Sequence, residues 1–87
     1  MVKERIVSAA IYWGGIISLP PPARHSDILA TMQETMHISY IIPNTLQGFL
    51  TDKGRYVNRV EAFGIAYRAC QFLDSPKGPE LYSEDLW

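Results

Sequence analysis

Cysteine, histidine and net charge are all scarce in this chain: it has one Cys, two His, and eight Lys and Arg against nine Asp and Glu, a formal charge of −1 over 87 residues. The lone Cys70 excludes an intramolecular disulfide and leaves no cysteine-based metal cluster, so a reducing compartment is expected. His25 and His37 stand on either side of a predicted helix with no neighbouring cysteine or paired carboxylates, a spacing unlike any metal motif, and no metal or cofactor is expected. Balanced charge gives no electrostatic case for DNA or RNA, which calls for clustered Lys and Arg, although a small anionic ligand needs only two or three well-placed cations. The longest apolar run falls well short of the ~20 residues of a membrane span, and the N-terminus shows no signal-peptide core. The expectation is a soluble cytoplasmic protein with no membrane association. Repeats and low-complexity segments are also missing.

What is present is ordinary globular content: 47% apolar residues, with two Trp and five Tyr, which argues against disorder. A single domain over 1–87 is expected. A chain of this size buries only about 60–65% of its extended surface, so a partner subunit is a natural way to complete a small core.

The most informative stretch is LQGFLTDKGRYVNRVEAFGIAYRAC, Leu46 to Cys70. Gln47–Leu50 reads as a strand, Thr51–Gly54 as a tight turn with Gly54 at the position needing positive φ, and Arg55–Val57 as the returning strand. Asn58, with Glu61 three residues on, reads as a helix cap whose Glu reaches back toward it. Alternatively, the Asn58 side chain contacts ligand hydroxyls. The helix is predicted from Arg59 to about Leu73. Ala62, Ile65, Ala66, Ala69 and Leu73 form its packing face, widened by Phe63, Tyr67 and Cys70, with Cys70 expected as a buried small hydrophobe. Arg59 in the first turn opposes the helix dipole, a mild conflict of the kind tolerated on surfaces. Arg68 and Gln71 either are solvated or point into an interface. Phe49 and Tyr56 either pair across the hairpin or present a ring to a base.

Upstream, Ile6–Trp13 reads as a central strand. Period two places Ile6, Ser8, Ala10 and Tyr12 opposite Val7, Ala9, Ile11 and Trp13. Gly14-Gly15 reverses the chain into a second strand, Ile16–Leu19. Three prolines then deliver Ala23-Arg24-His25 to a helix predicted over 26–35, with an apolar stripe of Ile28, Leu29, Met32 and Met36. At such a helix entrance, Arg24 and His25 either simply bound the helix or hold an anion together with backbone N–H groups. Around Ile38, Tyr40, Ile41 and Ile42 the pattern fits either a short strand or a tucked apolar loop. After a turn-rich linker, Leu81, Leu86 and Trp87 are costly to leave in water, so 80–87 is expected to dock as a tail. The fold class is therefore α+β: two β-hairpins, about four antiparallel strands, and two helices, assembled as a homo-oligomer.

The ARH segment before a short helix, QGFLTDKGRYVNRVEA before a long one, and the closing ELYSEDLW together resemble the phage anti-defence proteins of the type 1 anti-Thoeris family. Members of that family sequester cyclic ADP-ribose signals without cleaving them and assemble into dimers and larger oligomers. The resemblance covers most of the chain from Ile6 to Trp87, which is compact between the first helix and Gln47. It implies that Arg24 contacts phosphate, Phe49 stacks on or encloses the purine, and Asn58 binds ribose hydroxyl or phosphate, with Arg59 as a neighbour and His25 beside Arg24. It also implies a homodimer or higher homo-oligomer acting in the host cytoplasm, with a cyclic ADP-ribose-type or cyclic oligonucleotide signal as partner and no catalysis. An enzyme acting on such a nucleotide would need a metal cluster or nucleophile–base pair that two isolated histidines and one cysteine support poorly. The competing reading is a structural or protein-inhibiting phage oligomer with no small ligand, favoured by the broad apolar helix and the aromatic tail.

Overall fold

The structure is a computed structural model that describes residues 3–36 and 42–87. His37 and the segment around Ile38, Tyr40 and Ile41 lie outside the described residues.

Strands β1 (Ile6–Tyr12), β2 (Ile16–Ser18), β3 (Gln47–Thr51) and β4 (Tyr56–Asn58) form one antiparallel sheet in the order β2-β1-β3-β4. Helices α1 (His25–Met36) and α2 (Arg59–Arg68) complete a small α+β domain. β1 is central, as its two-sided apolar pattern requires. Ile28 and Met32 of α1 and Ala62, Ile65 and Ala66 of α2 share one core with Ala9, Ile11, Phe49 and Val57 of the sheet.

β1 departs from strict alternation. Ile6 pairs with Thr51 and Ser8 with Leu50, so Val7 is an extra residue in a β-bulge,. Ile6 is thereby turned from the Ser8 and Ala10 face into the core with Ala9 and Ile11, while Val7 is 39% exposed. The Gln71 side-chain amide completes the backbone pairing at the bulge. Its Oε1 accepts from Ile6 N and its Nε2 donates to Ile6 O, both at 2.8 Å. Gln71 thus serves as a substitute for a strand neighbour.

The β3–β4 hairpin follows its sequence signals. Gly54 has φ +78°, where a side chain would be strained. The Asn58 side chain caps α2 by accepting from Glu61 N at 2.8 Å. The Glu61 carboxylate does not return to the cap; it accepts from Arg55 Nη1 at 2.9 Å. Nor does Tyr56 face Phe49. Val57 does, and Tyr56 pairs with Leu50 and tilts against Tyr12 at 5.8 Å.

α2 stops at Arg68 rather than continuing to Leu73. Cys70 adopts φ +55°, Cys70 N donates to Tyr67 O, and Gln71 N donates to Ala66 O. These are the paired bonds of a Schellman closure, which satisfies the last carbonyls and turns the chain away. The closure leaves Cys70 exposed, correcting its expected burial. Further on, Leu81 and Leu86 enter the shared core, and Ser83–Asp85 forms one 3-10 turn. The Trp87 indole N–H donates to Ala23 O at 2.9 Å.

Candidate functional site

Two clefts meet at Arg59. The larger, about 420 Å³, lies between the start of α1 and the tail and is lined by Arg24, His25, Arg59, Tyr82, Ser83 and Glu84, with Ser26 at its edge. The smaller, about 210 Å³, lies between the β3 entrance and the start of α2 and is lined by Thr45, Gln47, Asn58, Arg59, Val60 and Glu80.

Arg24 sits at the entrance of α1, where its N–H donates to Asp27 Oδ2 at 2.8 Å, so Asp27 ties off the helix start. The exposed Arg24 guanidinium donates from Nε and Nη2 to the Trp87 main-chain oxygen at 3.1 and 2.7 Å. A forked guanidinium placed at a cleft wall is a donor of the kind that engages anionic oxygens.

His25 is only 6% exposed. Its Nε2 lies 2.6 Å from Gly48 O and its Nδ1 3.3 Å from Ser83 Oγ. Because a carbonyl can only accept, Nε2 carries the proton and Nδ1 accepts from the serine hydroxyl. The ring stands edge-on to Phe49, with centroids 4.9 Å apart. Burial, reinforced by Arg59, pushes the imidazole pKa down to about 4 against the pull of the Gly48 bond, so it is neutral near pH 7. Both ring nitrogens are engaged, so in this conformation His25 braces the cleft from behind instead of presenting a ring N–H to an anion. Gly48 itself makes room for Tyr56. A Cβ there would lie 2.7 Å from the Tyr56 hydroxyl and its ring carbon and would also meet Val57 O.

Arg59 is 7% exposed rather than a surface residue. Nη1 donates to Leu81 O at 2.9 Å and Nη2 to Gln47 Oε1 at 3.0 Å, and the guanidinium carbon stands 4.7 Å over the Tyr82 ring. Burial pushes its pKa down, opposed by Tyr82, Glu80 and Glu84, yet a guanidinium remains charged at neutral pH. The helix-dipole conflict noted from the sequence thus has a structural purpose: Arg59 ties α2 to the β3 entrance and the tail.

Asn58 lines the smaller cleft, and capping uses its oxygen alone, leaving its amide nitrogen as a donor. Phe49 is 0% exposed. Its ring is core, enclosed behind His25, and has no surface in this conformation on which a base could lie. Arg24, His25, Asn58 and Arg59 are therefore brought together around one pair of clefts, and Phe49 supports them from inside. The sequence reading did not single out Gln47, Tyr82, Ser83 or Glu80 as site residues. Tyr82 sits in the distinctive ELYSEDLW segment, but only the tertiary docking of that segment sets it against Arg59. Among the described residues, no group of three or more His, Cys, Asp and Glu is placed to hold a metal ion, and no helix is long and apolar enough to cross a membrane.

Residues 5–87 match the family model described as phage T4 y16D protein, and the chain belongs to that family, consistent with a phage protein. No curated protein and no solved structure matches it.

Proposed function

We propose that this member of the phage T4 y16D protein family is an anti-defence sponge, binding a cyclic ADP-ribose-type or related cyclic nucleotide immune signal without cleaving it. The observation that carries this reading is the meeting of two clefts at the buried Arg59, with Arg24 on one side and Asn58 on the other. A pyrophosphate requires charge-assisted donors, which Arg24 supplies at the rim and Arg59 from the wall. Ribose hydroxyls require polar hydrogen-bonding partners, and the cleft lined by Asn58, Gln47 and Thr45, with the Glu80 carboxylate as a further acceptor, offers both donors and acceptors,. The resemblance of the ARH, QGF and VNR segments to the type 1 anti-Thoeris proteins supports the same ligand class. A sponge acts by mass: present at a concentration comparable with the signal in the host cytoplasm, it lowers the free messenger available to its effector. No bond needs to be broken. A second copy of the chain closing over these open clefts would enclose a nucleotide that one small domain only partly covers, so a homodimer or higher homo-oligomer belongs to the proposal.

The test is calorimetry of the purified protein with cyclic ADP-ribose isomers and cyclic oligonucleotides, followed by chromatography of the ligand released on denaturation. Tight binding with intact ligand recovered is expected. Absence of binding across the panel would reject the reading, and a recovered product would replace it with catalysis. A second reading, a protein-inhibiting or structural phage module, is favoured by one feature: Tyr67 and Leu73 are 60% and 68% exposed, beside a shallow groove lined by Cys70, Phe72 and Pro76.

A further inference from the structure

A nucleotide brings a flat base as well as phosphates, and the enclosed ring of Phe49 offers it no surface. The larger cleft contains one aromatic side chain that does. Tyr82 lines that cleft and is 41% exposed, yet it is held on several sides. Its N–H donates to Asp85 Oδ2 at 2.9 Å, its hydroxyl donates to Glu80 Oε2 at 3.0 Å, and Arg59 stands against its ring at 4.7 Å. The 3-10 turn that follows it is anchored from beneath by the Ser83 hydroxyl at His25 and by Leu81 and Leu86 in the core. An exposed tyrosine usually keeps its rotamer freedom and surrenders it on binding. Here that freedom is already restrained. We infer that Tyr82 is the platform on which the base of a nucleotide stacks, the aromatic, base-selecting residue of the cleft whose anion donors are Arg24 and Arg59. This inference rests on the nucleotide-binding reading above and adds to it the residue that distinguishes a nucleotide from a bare phosphate compound.

The chemistry is that of a sequence-tolerant stacking surface. Every purine has a π-face to lay on an aromatic ring, and the cation–π contact of Arg59 with the tyrosine helps to hold that ring in place,. Tyr82 should therefore act on ligands that carry a base and be silent toward those that do not. Glu80 has a secondary role, fixing the ring through its hydroxyl.

The experiment is calorimetric titration of the full chain and of Tyr82→Leu and Tyr82→Phe with cyclic ADP-ribose and, separately, with sodium pyrophosphate. Proton NMR of the tyrosine rings during each titration gives an independent readout. Tyr82→Leu is expected to weaken cyclic ADP-ribose binding by about 5- to 150-fold, the range for loss of one base–aromatic stack. Pyrophosphate binding should be unchanged, and Tyr82→Phe should stay within about threefold of the parent because the ring remains. The Tyr82 ring protons should shift with the nucleotide and not with pyrophosphate. If the parent chain binds the nucleotide and Tyr82→Leu binds it equally well, the inference is overturned while the nucleotide reading stands. Equal losses for nucleotide and pyrophosphate would also overturn it, because Tyr82 would then act only by supporting Arg59. If the parent binds no nucleotide, both fall.

Discussion

His25 Nε2 donates to the Gly48 carbonyl oxygen across 2.6 Å, and the same ring's Nδ1 faces the Ser83 hydroxyl at 3.3 Å. One neutral imidazole thus joins the first turn of α1, the middle of the sheet and the tail, and α1 and the tail form facing walls of the larger cleft. Its pKa is about 4 in the folded chain against an ordinary 6.5, so between those values the unfolded chain binds the additional proton. Stability is complete above about pH 6.5 and is lost progressively as pH falls toward 4, by about 3 kcal/mol in all. Glu4, held down to about 2 chiefly by Arg55 and then by Thr51, acts in the same direction, but only as pH falls below its ordinary 4.5. Urea unfolding across this range should show His25→Gln less stable at pH 7 by about 1–3 kcal/mol and nearly flat between pH 6.5 and 4.5. A variant that keeps the parent slope would contradict the assignment.

The Tyr56 hydroxyl is buried without a hydrogen-bond partner, and burial raises its pKa. The ring is needed where it lies, across Gly48 and against Tyr12; the oxygen is not. Tyr56→Phe should raise unfolding stability by about 1 kcal/mol, since it removes an unpaired buried polar group and keeps the packing. A loss of stability would show that the hydroxyl has a partner.

At the end of α2, Cys70 occupies the left-handed position of the Schellman closure with φ +55°, a conformation that costs a residue with a Cβ about 1 kcal/mol and glycine very little. Its side chain is exposed, so little packing is lost on removing it. Cys70→Gly should therefore stabilise the chain by about 1 kcal/mol in chemical denaturation. An unchanged or lower midpoint would contradict this.

The parts of the fold legible in the sequence are those specified within a few residues. The Gly54 turn, the Asn58 cap and the start of α2 follow from local chemistry, and the order of hairpins and helices follows from periodicity. The rest depends on partners far along the chain. The bulge that turns Ile6 inward is completed by Gln71, 65 positions away. Arg59 reads as a surface residue until Leu81 and Gln47 receive its guanidinium. The early end of α2 turns on one non-glycine residue adopting positive φ, which propensity argues against. At the candidate site, the helix entrance at Arg24 and the cap at Asn58 are legible because both are specified within a few residues. The enclosure of Phe49 and the bracing role of His25 arise from their mutual contact across the α1–sheet interface, and Tyr82 acquires its place only when the tail docks.

The central claim is that the clefts joined at Arg59 hold a nucleotide through Arg24, whose guanidinium now rests on the Trp87 main-chain oxygen. The most direct measurement is calorimetric titration of the parent chain and Arg24→Ala with cyclic ADP-ribose isomers, with the released ligand identified by chromatography and the fold and molecular mass of both proteins checked by circular dichroism and light scattering. The account predicts tight binding and intact ligand for the parent. For a folded Arg24→Ala variant of unchanged mass, it predicts affinity at least tenfold weaker, the ~1.5–3 kcal/mol of a charge-assisted hydrogen bond. Equal affinity in a folded Arg24→Ala, or no binding by the parent, would contradict it.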